Sequence, residues 1–267
     1  VMSFQKYKVP TRKMPFPINL FNSEWVGLDN FKFLFTSESA QMIRNTLGYN
    51  IVWIILGLVV AVSFAIMMSE LTKKFLAKCY QTLMFFPYFL SWVVASYFLL
   101  AFMDPVSGLF VYLQRAMGVK PIDWYNSPQY WPVILTICNL WKNVGYSTVL
   151  YLSAITGIDH TQYEAAAVDG ATKWQQFRNI TLPLLMASVN NVVVLSIIGG
   201  LKVFDIVVAT TGGGPGYATE VFNTMIYNSY SYQKYGEATA GTTLLAVIIL
   251  VITLCTYQTI AKNEVEL

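Results

Sequence analysis

Charge is what this sequence has least of. Asp, Glu, Lys and Arg make up 12% of its 267 residues against 55% hydrophobic ones, about half the charged share of an average soluble domain, and the mean hydropathy is positive. So few charges cannot cover a water-facing surface, which excludes an ordinary soluble globule and points to an integral membrane protein. Histidine occurs once, at His160, and reads as a surface residue rather than a metal ligand or pH sensor. Cys79, Cys138 and Cys255 lie far apart and form neither a metal-ligand spacing nor a disulfide framework. The apolar stretches hold no paired carboxylates and no Ser-His arrangement, so a membrane enzyme is disfavoured. Their one acid is Asp205, thin support for the alternative of an ion-coupled secondary transporter working without an ATPase. The net charge of +3 is small and spread out, which argues against a nucleic-acid partner.

What the sequence does have is apolar length. Residues 1–41 carry Pro10, Pro15 and Pro17 and no run near the roughly 20 residues that cross a bilayer, so they read as a loop with short helices such as Leu28–Phe35. Five spans follow, at about Met42–Met68, Tyr80–Met103 with Pro87 as a kink, Trp131–Ile155, Leu184–Ala209 and Ala238–Ile260. The 17 Tyr, 17 Phe and 7 Trp suit interface belts and lipid contact, and also flat faces for sugar rings. The run at Thr210–Gly216 is no phosphate loop, because no Gly-Lys-Ser/Thr follows it.

Between the third and fourth spans lies a polar interruption, Glu164–Leu185. Its alanine run favours helix, Asp169-Gly170 offers a turn, and Lys173–Ile180 reads as a second short helix before Pro183 starts the next span. Glu164, Ala165, Ala166, Gly170, Ile180, Leu182 and Pro183 follow the Glu-Ala-Ala, Gly, Ile-x-Leu-Pro spacing of the EAA loop. In this the chain resembles the permease subunits of binding-protein-dependent ABC importers. WKNVGYSTVLYLSAITGI before the loop and TGGGP after the fourth span resemble the sugar and oligosaccharide type.

The resemblance implies an all-α integral membrane protein, a polytopic helix bundle of the type I permease fold with five spans visible of an expected six, the missing one preceding Val1. It implies a multi-pass protein of the bacterial cytoplasmic (inner) membrane, with residues 1–41 extracytoplasmic and 42–267 forming the permease domain. The expected partners are a second, homologous and non-identical permease subunit, two cytoplasmic ATPase subunits, an extracytoplasmic solute-binding protein, a saccharide and membrane lipid. No cofactor is expected on this chain; ATP and Mg belong to the ATPase subunits, and the chain itself is not an enzyme. The EAA loop, at about 158–183, should seat in the ATPase, with Glu164 making polar contacts, Tyr163, Ala165, Ala166 and Val168 apolar ones, and Asp169-Gly170 the turn. The other reading of such a segment is an amphipathic helix lying on lipid headgroups.

Lys and Arg in short loops set orientation. With the EAA loop inside, Lys73, Lys74, Lys78, Lys173, Arg178 and Lys262 are cytoplasmic, and Arg115, Lys120 and Lys234 are outside. Lys6, Lys8, Arg12, Lys13, Lys32 and Arg44 then also lie outside and count against the rule.

Lys142 is the most informative charge. It falls roughly 16 Å into the third span, where an ammonium costs about 2.5–3.5 kcal/mol unless it faces a cavity or a partner. Asn139, Asn143 and Tyr146 lie on nearby turns. Two readings stand open: a substrate-facing patch that would suit an acidic saccharide such as a uronate oligomer, or a lysine bonded to backbone carbonyls or to a partner subunit. Lys202 and Asp205 are spaced for an ion pair on one helix face, with substrate contact as the alternative. Asn190, Asn191 and Ser196 are candidates to line the pathway or to bond helix to helix, and the adjacent Asn190 and Asn191 must lie on different faces. Tyr88, Trp92, Thr242 and Thr243 are weaker pathway candidates.

Overall fold

The computed structural model describes residues 1–71, 73–214 and 217–264. Pro215, Gly216 and the side chains of Lys74 and Lys262, all named above, lie outside what is described.

The N-terminal segment is more ordered than a loop. Gln5–Lys6 (β1), Ile18–Phe21 (α1) and Glu24–Trp25 (β2) form a small module in which β1 and β2 pair antiparallel. The expected Leu28–Phe35 helix is a 3-10 turn over Asp29–Phe35. The first span is a single helix, Ser37–Ser69 (α2), about 50 Å long at 1.5 Å per residue.

The second span is not one kinked helix, and this corrects the sequence reading. Lys74–Phe85 (α3) passes into a 3-10 turn at Phe86–Phe89, Leu90 is extended, and the chain restarts at Trp92–Met103 (α4). Proline at position 87 removes a backbone donor, and what completes the break is a lysine from elsewhere, described below. Leu109–Ala116 (α5) lies in the following loop, and Trp131–Thr156 (α6) is the third span within a residue of its expected bounds.

His160–Val168 (α7) and Lys173–Gln176 (α8) form the knob. The second knob helix does not stop before the next span. It continues through a π-helical turn, Phe177–Thr181, into Leu182–Leu201 (α9), so Lys173–Leu201 is one 29-residue helix. Pro183 lies inside it, and its ring would clash with the carbonyl four residues earlier, at Asn179. The wider turn gives that carbonyl room. The fourth span also ends sooner than expected. Phe204, at φ −152° and ψ −59°, breaks the helix, and Asp205–Thr210 (α10) is separate. Phe222–Ser231 (α11) follows the glycine-rich loop, and Tyr235–Glu264 (α12) is the last span.

Three helices are long and apolar enough to cross a membrane, at Ser37–Ser69, Lys173–Leu201 and Tyr235–Gln258, and α3 with α4 makes a fourth if taken as one broken span. The 26-residue α6 has the length, but Asn139, Lys142 and Asn143 lower its hydropathy.

The chain divides into two compact units, Val1–Asn50, Trp92–Leu135 and Gly199–Leu254 forming the first, Ile51–Ser91, Thr136–Ile198 and Cys255–Leu267 the second. In the first, Met42, Phe222, Met225 and Leu245 form a core. Asn45 Nδ2 donates to the carbonyls of Ala218 (3.2 Å) and Glu220 (2.9 Å), and the Phe222 amide donates to Thr46 Oγ1 at 2.9 Å. The segment after the glycine run is thus held on the start of α2. In the second unit, Ala61 and Ala65 of α2 meet Val144, Tyr151 and Ile155 of α6 and Leu185 and Val189 of α9. Spacings of four and seven put each set on one face, and the two alanines let the helix backbones approach closely.

Candidate functional site

The break in the second span is closed by Lys142. Its Nζ donates to the carbonyls of Tyr88 at 2.8 Å, Pro87 at 3.3 Å and Leu90, and lies 5.8 Å from the Tyr88 ring centroid. The side chain is buried, at 8% exposure. They lie at the end of a helical turn, where the Leu90 amide also donates to the Pro87 carbonyl at 3.1 Å, and an ammonium there also opposes the negative end of the helix dipole. Of the two readings left open above, the contacts seen here are those of the backbone one: this ammonium donates to carbonyls.

Tyr88 and Tyr146, named separately from the sequence, are brought together as stacked rings 4.7 Å apart at 12°. Phe85, which sequence reasoning missed, extends the stack, 5.7 Å from Tyr88; its spacing of three from Tyr88 was the available signal. Gly145 lets α6 come this close to α3, since a Cβ there would collide with the Met84 carbonyl. Asn143 Nδ2 bonds to the Asn139 carbonyl one turn back at 3.0 Å. Asn190 is half-buried and Asn191 exposed, on different faces as adjacency requires. Trp92 falls in the first unit.

Lys202 and Asp205 do not share a helix face, because the helix breaks between them. Among the described residues the ion pairs are Lys32–Asp29 and Lys234–Glu237. Lys202 instead lines an open cleft of about 510 Å³ in the first unit, with Phe204, Asn223, Tyr227, Tyr230 and Thr242. Asn223 Nδ2 donates to the carbonyls of Leu201 (3.5 Å) and Val203 (3.2 Å), closing the end of α9 beside the lysine. Thr243 bonds to Ser3 instead, at 2.9 Å. The Gly199-Gly200 pair just before the helix break was the signal available to a sequence reading.

The knob is built from local capping. Asp159 starts α7 by accepting from the Thr161 amide at 3.0 Å, a bond that lowers the carboxyl below its usual pKa. At the other end Gly170 stands at φ +78°, its amide bonded to the Ala167 carbonyl (3.1 Å) and that of Ala171 to Ala166 (2.9 Å), the paired bonds of a Schellman stop. Thr172 and Gln175 form a capping box that opens α8. Tyr163 and Ala166, expected on the outward face, are half-buried, and the Tyr163 hydroxyl bonds Thr181 Oγ1 at 2.9 Å. Glu164, Ala165, Val168 and Asp169 are exposed, and so is Trp174 on α8, a bulky aromatic in a polar segment that the sequence reading passed over.

Comparison with known proteins agrees with this architecture. The model of the family described as binding-protein-dependent transport system inner membrane component matches residues 53–261. The trehalose/maltose transport system permease protein MalF of Thermococcus litoralis is 29% identical over 231 residues, 86% of this chain and 78% of its own. A crystal structure of a bacterial ABC transporter involved in the import of the acidic polysaccharide alginate contains a 30% identical chain that superimposes with a TM-score of 0.81, over 88% of this chain and 83% of that one. The bacterial alginate ABC transporter in complex with an alginate pentasaccharide-bound periplasmic protein gives 0.79 at 30% identity, over 86% and 81%. With its helices, its broken second span and its capped knob, the chain belongs to the family of binding-protein-dependent transport system inner membrane components: it is a multi-pass inner-membrane permease of the ABC-importer type.

Proposed function

We propose that this chain is one half of a permease pair that moves an acidic oligosaccharide inward, driven by two cytoplasmic ATPase subunits that bind ATP and Mg. The observation that carries the coupling is the continuity of Lys173–Leu201. A push on the knob turns the fourth span as a rigid body, which is what alternating access requires. The exposed side chains of Glu164, Ala165, Val168 and Trp174 are the contact face, while Tyr163 ties α7 to the long helix. Residues 1–41 and the glycine-rich loop then face outward, toward a solute-binding protein that delivers the sugar.

The acidic substrate rests on the cleft at Lys202 rather than on Lys142. A cation beside Phe204, Tyr227 and Tyr230 offers a uronate both a charge partner and ring faces. The alginate transporter among the similar structures supports that reading. Chemical cross-linking tests the coupling: a cysteine at Val168 or Trp174 should join to the copurified ATPase subunit, whereas cross-links to lipid alone would overturn it.

A further inference from the structure

The N-terminal module carries a basic and aromatic surface that neither coupling nor the substrate path uses. Lys6, Lys8, Arg12 and Lys13 are exposed, the last two at the tip of a turn closed by reciprocal Thr11–Met14 amide bonds of 3.0 Å. Phe16, Ile18, Phe21 and Trp25 are exposed as well, by 66%, 49%, 86% and 64%. Hydrogen bonds make these two sets one surface. Gln5 Nε2 donates to the Leu20 carbonyl at 3.1 Å, Asn19 Nδ2 to the Lys8 carbonyl at 2.8 Å and the Lys8 amide to Ser23 Oγ at 3.1 Å. The basic strand therefore lies against the α1 turn.

The same module is fixed at a definite height on α12. Ser3 Oγ lies 2.9 Å from Thr243 Oγ1 and donates to the Thr239 carbonyl at 3.2 Å. The Tyr7 ring packs 5.9 Å from Tyr235, the first residue of that helix. Tyr235 to Thr243 is a rise of about 12 Å, so residues 3–7 climb from beside the helix to its mouth. Lys6 lies between these two anchors, beside the N-terminal end of α12.

We propose that this surface binds anionic phospholipid headgroups at the end of the bilayer where α12 begins, the outer leaflet in the orientation given above, with its aromatic side chains at the hydrocarbon boundary. Basic side chains near an anionic membrane are each favoured roughly fivefold, and exposed apolar side chains supply the second signal that stable interfacial seating needs. It gives the outer cations a role that the loop-charge rule does not. The inference rests on α12 crossing the bilayer.

The test uses the assembled transporter, with this chain's three cysteines replaced by serine and uptake retained, in phosphatidylcholine vesicles with and without phosphatidylglycerol. Nitroxides at Phe16→Cys and Phe21→Cys should show lipid-like accessibility, high to oxygen and low to a nickel chelate, in the anionic vesicles. The ratio should fall severalfold in neutral vesicles or in the Lys8→Glu, Arg12→Glu, Lys13→Glu variant. Water-like values in both vesicles overturn the proposal, as does protection that needs added solute-binding protein. Labelling of Phe16→Cys by an impermeant maleimide only from the cytoplasmic side would refute the leaflet assignment and the orientation, while retained uptake would keep the permease reading intact.

Discussion

The hydroxyls of Tyr163 and Thr181 are hydrogen-bonded at 2.9 Å across 18 residues of chain. This bond ties the free helix of the knob to the π turn of the long helix, so α7 cannot swivel without moving α9. Replacing either residue by an apolar one, Tyr163→Phe or Thr181→Val, should cost about 1 kcal/mol and lower uptake more than ATP hydrolysis. The double variant should be no worse than either single one; additive losses in a transport assay with the purified complex would show that the bond couples nothing.

Gly170 stands in the left-handed region, and nothing lies within 4 Å of where a Cβ would be. The cost of substitution is therefore backbone strain alone, about 1–2 kcal/mol for an ordinary residue. Gly170→Val should uncouple transport from ATP hydrolysis or block assembly, and Gly170→Asn, which tolerates that conformation, should recover most of the uptake. Normal uptake by the valine variant would refute the turn's role.

Removal of the Lys142 ammonium takes its donor from the carbonyls of Tyr88 and Leu90 and leaves that of Pro87 with the Leu90 amide alone. Lys142→Met should destabilise the complex by about 3 kcal/mol or more, read as a lower temperature of aggregation and a poor yield, with substrate preference unchanged in the protein that survives. A normal yield with altered affinity for an acidic sugar would return this lysine to the substrate path.

Gly145 has no room for a methyl group. Gly145→Ala should force α3 and α6 apart at the cost of about 1–3 kcal/mol, visible as reduced thermal stability and as loss of the Tyr88–Tyr146 stacking contact. A variant as stable as the parent would mean the two backbones separate freely.

Lys202 is exposed in its cleft, so its loss should spare the fold. Lys202→Gln should weaken uptake of a charged oligosaccharide about tenfold, the worth of one charge-assisted bond, and leave a neutral one of the same length unaffected. Equal effects on both would remove the basis for an acidic substrate.

The sequence by itself determined the membrane class, the span at α6 within a residue and those at α2 and α12 within five, and the knob with its turn at Gly170. Those follow from local physics: apolar length, the helical bias of alanine, and a backbone conformation that glycine adopts at no steric cost. It named Lys142, Tyr88 and Tyr146 as separate candidates but could not say what the ammonium bonds, because its acceptors lie more than fifty residues away in the chain. Only the tertiary structure decided that the second span is broken at a lysine-held turn, that the knob and the fourth span are one helix despite Pro183, and that Lys202 opens on a cleft instead of pairing with Asp205. The first and the last depend on carbonyls or rings supplied by another element, and residue spacing along one chain carries no record of which distant carbonyl a side chain will meet; the second rests on a local π turn that widens the helix before the proline.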